Sequence, residues 1–400
     1  MQGELLLLLA LHLALTALPG VAASLCGARL GVRQAPVLMV IGLAATGAVA
    51  MLGFWAYYAD RTAGQSFSYL VLFGSILLIG WSLYGGLDRS LLRKLATPLA
   101  LWALGSTFLV FLGFLHGGTD QAIGTATIRF SGQLPTDNDL PHYFTAWFYL
   151  NSHHGHPLYP GDWLASDRPP LQIGYLLVQR PFAIFQEGLN YQVASVVLQQ
   201  LWIVGLWALL MAARVGRLTR ALIMLTVLAS DLAILNGFYV WPKMLPAAML
   251  VGAAALVLTP LWEDLRHRLW AGALLGLLFG LAMMGHGSSV FGVIPLALVA
   301  AFRGLPSWRW IGVTVLAGLL LQVSWSAYQN YGEPPGNRLT KWDAGGGARN
   351  RRPGRRRGDG RLLPGSRNRR RDPRQGGELR HHGRRGARLG NREEGGRGSR

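Results

Sequence analysis

Cysteine is almost missing from this 400-residue chain. Cys26 stands alone, which excludes an intramolecular disulfide and any thiolate metal centre. The composition says nothing about redox compartment, and Cys26 reads as a small apolar residue at a helix end. Charge is also scarce, at 14% of residues against 51% apolar ones. A soluble globular domain carries about one charged residue in four. The formal net charge of +19 is unevenly placed. Residues 345–400 hold 19 arginines, no lysine and five acids, a net +14, so the first 344 residues keep only +5 and about one charge in ten. A water-soluble enzyme is excluded for that main body. The basic excess is no sign of nucleic-acid binding, because it belongs to the tail.

What the main body has is long apolar runs. A bilayer core needs about 20 apolar residues at a rise of about 1.5 Å each. Ten stretches reach or approach that length, roughly 5–25, 36–57, 67–86, 97–115, 192–213, 221–238, 244–261, 269–285, 288–302 and 310–328. The first has the length of a secretory signal, with Ala22-Ala23 as a cleavage site. Its start, Met1-Gln2-Gly3-Glu4, is negative where a signal is positive, so a retained helix is expected. The expected fold is an all-α polytopic membrane protein with about ten transmembrane helices.

Basic residues orient such a bundle. Alternate connections hold Arg29 and Arg33; Arg89, Arg93 and Lys94; Arg214, Arg217 and Arg220; Arg266 and Arg268; Arg303 and Arg309. The short connections of opposite parity hold only Arg61 and Lys243. The N-terminus and the long segment 116–191 are therefore expected to face outward. The organisation reads as four helices in 1–115, the outward loop 116–191, six helices in 192–328, an outward loop 329–344 and the tail 345–400.

The same parity gathers Asp120, Asp137, Asp139, Asp162, Asp167 and Glu187 outside, with Asn236, Lys243, His286, Glu333 and Arg338. Leu134 to Pro141 reads as a turn in which Thr136 or Asp137 caps a following helix. His142 to Leu150 is aromatic and amphipathic, suited to the headgroup layer. Asp167-Arg168-Pro169-Pro170-Leu171 opens a second apolar helix over about 171–185, too short to span. Such a loop suits a substrate whose tail is in lipid and whose head is in water. His153, His154, His156 and Asp162 have the atom types for zinc, but the run lacks helical spacing and reads as a solvated loop.

An acidic turn, an amphipathic helix and Arg-Pro-Pro-Leu about thirty residues on resemble the first large external loop of GT-C polytopic glycosyltransferases. The resemblance is closest to the family-39-like branch, with its protein O-mannosyltransferases and lipid A aminoarabinose transferases. It rests on Asp137-Asn138-Asp139 with Tyr143, and on Asp167-Arg168-Pro169-Pro170-Leu171. Tyr239-Val240-Trp241-Pro242-Lys243 and Glu333 to Arg338 are similar to bacterial members, and the likeness covers about residues 110–340. Four spans precede the acidic loop here, where the family has one, and Asp-Asn-Asp and Asp-Arg replace its usual charged pairs.

The resemblance implies transfer of a sugar from a polyprenyl-phosphate donor to an envelope acceptor, at the outer face of a bacterial cytoplasmic membrane. A carboxylate must take the acceptor's proton, and cations must hold the departing phosphate. Asp137 or Asp139 is expected as the base, Asp137 being favoured; both can equally be helix caps. Arg168 is the expected phosphate ligand unless it pairs with Asp167. Lys243 shares that role or snorkels to the headgroups, and His286 binds phosphate or acceptor or simply fills a glycine turn. Tyr143, Asp167 and Arg338 are expected substrate contacts. No cofactor is required, although a divalent cation at Asp137 and Asp139 is an alternative. A multi-pass transporter or flippase, or a non-catalytic partner in envelope polysaccharide assembly, is the competing reading.

The tail has too few apolar residues to bury a core and is expected to be disordered. Arginine without lysine is what a GC-rich frame yields when read out of register. A frameshift near residues 343–350 is therefore expected, and with it the loss of downstream parts that activity would need. Resequencing the locus should show a second open frame crossing this point; an intact frame through the stop codon refutes it.

Overall fold

The computed structural model describes residues 2–117, 140–155, 164–238 and 243–334, and every regular element among them is helical. Helices α1 (Gln2–Arg29), α2 (Ala35–Ala59), α3 (Arg61–Tyr84) and α4 (Arg89–Gly117) account for the first four apolar runs. Asp60 makes the α2–α3 turn short: its carboxylate accepts the amides of Thr62 and Ala63 at 2.7 and 3.0 Å. That caps α3 where its first N–H groups have no helical partner. Next come α5 (Leu140–Asn151), α6 (Leu171–Gln179), α7 (Glu187–Gln199) and α8 (Trp202–Ala212). The rest is α9 (Arg217–Leu228), α10 (Asp231–Phe238), α11 (Met244–Val257), α12 (Leu269–Gly285), α13 (Val290–Phe302) and α14 (Trp308–Ala327).

Six helices are long and apolar enough to cross a membrane: α1, α2, α3, α4, the joined α7–α8 and α14 with its extension to Gly332. This is the architecture of a multi-pass membrane protein, with fewer full-length spans than the ten expected. A seventh, α9 with α10, is bent by 60°. The bend falls at Ser230, whose hydroxyl donates to Val227 O at 2.7 Å and accepts the Ala233 amide at 3.3 Å. Helices α11, α12 and α13 fall short, because 14, 17 and 13 residues reach only about 20–25 Å at 1.5 Å each.

A second difference concerns the expected surface helix near 171–185. Helix α6 is buried at every residue, packed along α2. Its two glutamines bond inside the bundle, Gln172 donating to Ser195 Oγ at 3.2 Å and Gln179 to Thr16 Oγ1 at 2.9 Å. The two backbones approach so closely that a Cβ on Gly174 would stand 2.1 Å from Ala50 O.

The contacts sort the helix ends into two sets. At one end Arg61 lies over the Tyr149 ring, His153 Nδ1 meets the carbonyls of Tyr58 and Ala59 at 3.2 and 3.0 Å, and Gln329 reaches the 165–167 turn. At the far ends of α1 and α3 Arg29 donates to Gly85 O at 2.9 Å, and past the ends of α13 and α11 Arg303 donates to Thr259 O at 3.0 Å. There Arg266 pairs with Glu263 at 3.1 Å. The arginine-rich connections thus share one end.

Gly174→Val should destabilise the bundle by about 2 kcal/mol or more, since packed backbones cannot part to admit the side chain. Gly74→Ala, whose new Cβ would meet nothing within 4 Å, should be neutral or stabilising by up to about 1 kcal/mol. Thermal unfolding in detergent compares the two; equal effects would refute the close contact.

Candidate functional site

Arg168 owes its placement to the two prolines after it. A residue before proline is pushed out of the helical region, and Arg168 has φ −122° and ψ 126°. It therefore ends the short 3-10 turn Ala165–Asp167 and projects before α6 starts. Asp167 is buried within that turn, and its Oδ2 accepts the Leu164 amide at 2.9 Å. Asp167 thus serves as a turn-former.

Lys243 comes from the start of α11. Buried Gln199, at the end of α7, accepts the Met244 and Leu245 amides through Oε1 at 2.8 and 3.1 Å. The first free N–H groups of α11 are thereby satisfied and Lys243 is anchored. His286 follows the last residue of α12. A Cβ on Gly285 would stand 3.0–3.3 Å from Pro246, so α12 ends tight against the first turn of α11.

That packing brings Lys243 Nζ to 3.5 Å from His286 Nε2. The Ser288 amide donates to His286 Nδ1 at 3.2 Å, and Ser288 Oγ lies 2.7 Å from the same nitrogen. A backbone N–H can only donate, so Nδ1 accepts, and a neutral imidazole then carries its proton on Nε2. The Nε2–H and the Lys243 ammonium are both donors and face the same space. Burial, then Lys243, then Arg168 push the His286 imidazole down to about 4, so Arg168 is near enough to act on it. Lys243 and His286, 43 residues apart in sequence, thus meet, and the positive charge of Arg168 acts on the same imidazole.

Asp137, Asp139 and Arg338 lie outside the described residues. Tyr143 sits half-buried on α5 with its ring edge-on to Phe144 at 5.7 Å, and the described contacts do not join it to the cationic group. His153 and His154 stack at 4.1 Å, while His156 and Asp162 lie outside the described residues. No group of three or more potential metal ligands occurs among the described residues.

Compared with protein-family models, curated proteins and solved structures, the chain matches none.

Two buried polar features have no simple sequence signal. His12 on α1 meets Gln179 Oε1 at 2.8 Å and Asn190 Oδ1 at 3.3 Å, linking α1 to α6 and α7. Glu333, only 2% exposed, contacts the turn that carries Arg168. A period of 3.6 marks which face is apolar, but not which polar residue the core will accept.

Because His286 titrates near 4 when folded and near 6.5 in an unfolded chain, unfolding takes up a proton between those values. Its contribution to stability is complete above pH 6.5 and declines as pH falls toward 4. The melting temperature of the wild type should drop more steeply over that interval than that of His286→Gln; parallel curves would refute the burial of a neutral imidazole.

Proposed function

We propose that this chain is a membrane glycosyltransferase of the GT-C type, nearest the family-39-like branch. Its donor is a polyprenyl-phosphate sugar, and its acceptor is an envelope glycan, lipid or protein at the outer face of the bacterial cytoplasmic membrane. The observation that carries this reading is the meeting of Lys243 and His286, an imidazole on which the charge of Arg168 also acts. The arginine-rich connections occupy the opposite helix ends, so the positive-inside rule puts the cluster outside. On this reading the bent pair and the three short helices complete the ten crossings.

An apolar groove of about 440 Å³ lies between α12, α13 and α14. It runs from Met283 and Val293, near the His286 end, to Leu305 and Trp310. An isoprenoid chain has the chemistry to fill it while the phosphate rests on the cations. In the reaction the acceptor oxygen bonds to the anomeric carbon as the bond from that carbon to the phosphate oxygen breaks. The acceptor's proton passes to Asp137 or Asp139. The polyprenyl phosphate departs with its new negative charge held by Arg168 and Lys243, with Nε2–H of His286 as a third donor. Asp167 supports the Arg168 turn, and Tyr143 and Arg338 are assigned to substrate.

The bent α9–α10 pair and the buried His12–Gln179–Asn190 network favour the alternative of a transporter or flippase, since broken helices and membrane-buried polar groups are common in such proteins. Reconstitution with a polyprenyl-phosphate sugar separates the readings. Arg168→Ala and Lys243→Ala should each weaken donor use about tenfold or more, the scale of one charge-assisted hydrogen bond. Asp137→Ala with Asp139→Ala should abolish transfer and leave donor binding intact. Transfer that survives the double substitution, or lipid movement without transfer, overturns the enzymatic assignment.

A further inference from the structure

Glu333 is an unusual residue to find in the interior. Transferring a carboxylate out of water is costly unless its oxygens are well paired, yet Oε1 of Glu333 is buried and has no hydrogen-bond partner. Its other oxygen accepts the Ser166 amide at 2.5 Å and lies 3.5 Å from the Tyr328 hydroxyl. Gln329 donates to the Ser166 carbonyl at 2.9 Å. Both backbone groups of Ser166 are thus held from the end of α14, two residues before Arg168.

The holder is itself rigid. After Ala327 the helix widens into one π-turn, Tyr328–Gly332, closed by the Glu333 amide on Tyr328 O at 3.0 Å. Such turns are often found where a side chain must be aimed. Trp325 and Tyr328 stack at 4.9 Å and pack edge-on against Phe54 of α2, which also meets Phe148 of α5. A helix end fixed by four aromatic rings has little freedom to follow a mobile turn, so the turn must conform to Glu333.

We propose that Glu333 is a positioning residue for Arg168: its carboxylate pins the Ser166 amide and so sets where the Arg168 side chain leaves the turn. The pin orients a residue that touches donor and makes no contact with donor itself. Its catalytic consequence rests on the glycosyltransferase reading, whereas its geometric consequence does not.

The test uses the full chain in detergent or nanodiscs. In Glu333→Ala the Ser166 amide should exchange hydrogen about tenfold faster. The His286 ring, followed by histidine-selective NMR, should titrate higher, at the value given by Arg168→Ala. Glu333→Gln keeps an acceptor for the Ser166 amide and should restore both readouts. The pair Glu333→Ala with Arg168→Ala should move His286 no further than Arg168→Ala alone. Unchanged Ser166 exchange in Glu333→Ala overturns the pin, and additive shifts of His286 in the double variant overturn the aiming. With a polyprenyl-phosphate sugar, Glu333→Ala should raise the donor KM about as much as Arg168→Ala does. If Lys243→Ala and Arg168→Ala leave donor use unchanged while the His286 readouts follow the pattern above, the glycosyltransferase reading fails and the pin stands.

Discussion

The contact between α2 and α6 at Gly174 and Ala50 governs much of what surrounds it. With no side chain between them, the two backbones pack at a distance that any Cβ would forbid. Burial of α6 follows, and α6 begins just after Pro169 and Pro170, so its anchoring fixes where the polypeptide leaves the 165–167 turn. The same wedge holds the Gln179 side chain against His12 and Thr16 of α1. A nine-residue segment that could not cross a bilayer alone thereby ties two long helices to the residues that form the cationic group.

The charges around His286 act on it in one direction. Lys243 and Arg168 both disfavour a proton on His286, and burial does so more strongly. Like charges are held together by the surrounding packing: Gln199 on the amides of α11, Gly285 against Pro246, and the prolines that follow Arg168. Such packing sets the positions of Lys243 and His286 through contacts made elsewhere on their helices. Pre-organised positive charge in a partly desolvated site also costs no reorganisation when a leaving group develops charge.

How much of this was legible in the sequence varies by residue. The long runs behind α1, α2, α3 and α4 are readable because length alone decides them. The extended conformation of Arg168 is readable from Pro169. The burial of α6 is not, since nine residues between turns, two of them glutamines, fit an interfacial helix as well as a core one until α2 is placed beside them. Nor is the pairing of Lys243 with His286, which depends on where α11 and α12 touch across 43 residues. Parity of the connections put Lys243, His286 and Glu333 on one side, but parity cannot say that Glu333 is buried. Its burial depends on the π-turn after Ala327, which shifts one residue out of helical register. The span count of ten includes α11, α12 and α13, whose 14, 17 and 13 residues are shorter than a full-length span.

The elbow at Ser230 has a mechanical implication. A bend in a helix usually leaves stretched hydrogen bonds, and those make straightening favourable. Here one hydroxyl serves the carbonyl on one arm and caps the amide on the other, in place of the backbone carbonyl a straight helix would offer that amide. The knee between α9 and α10 is thus a helix end and a helix start joined at one side chain.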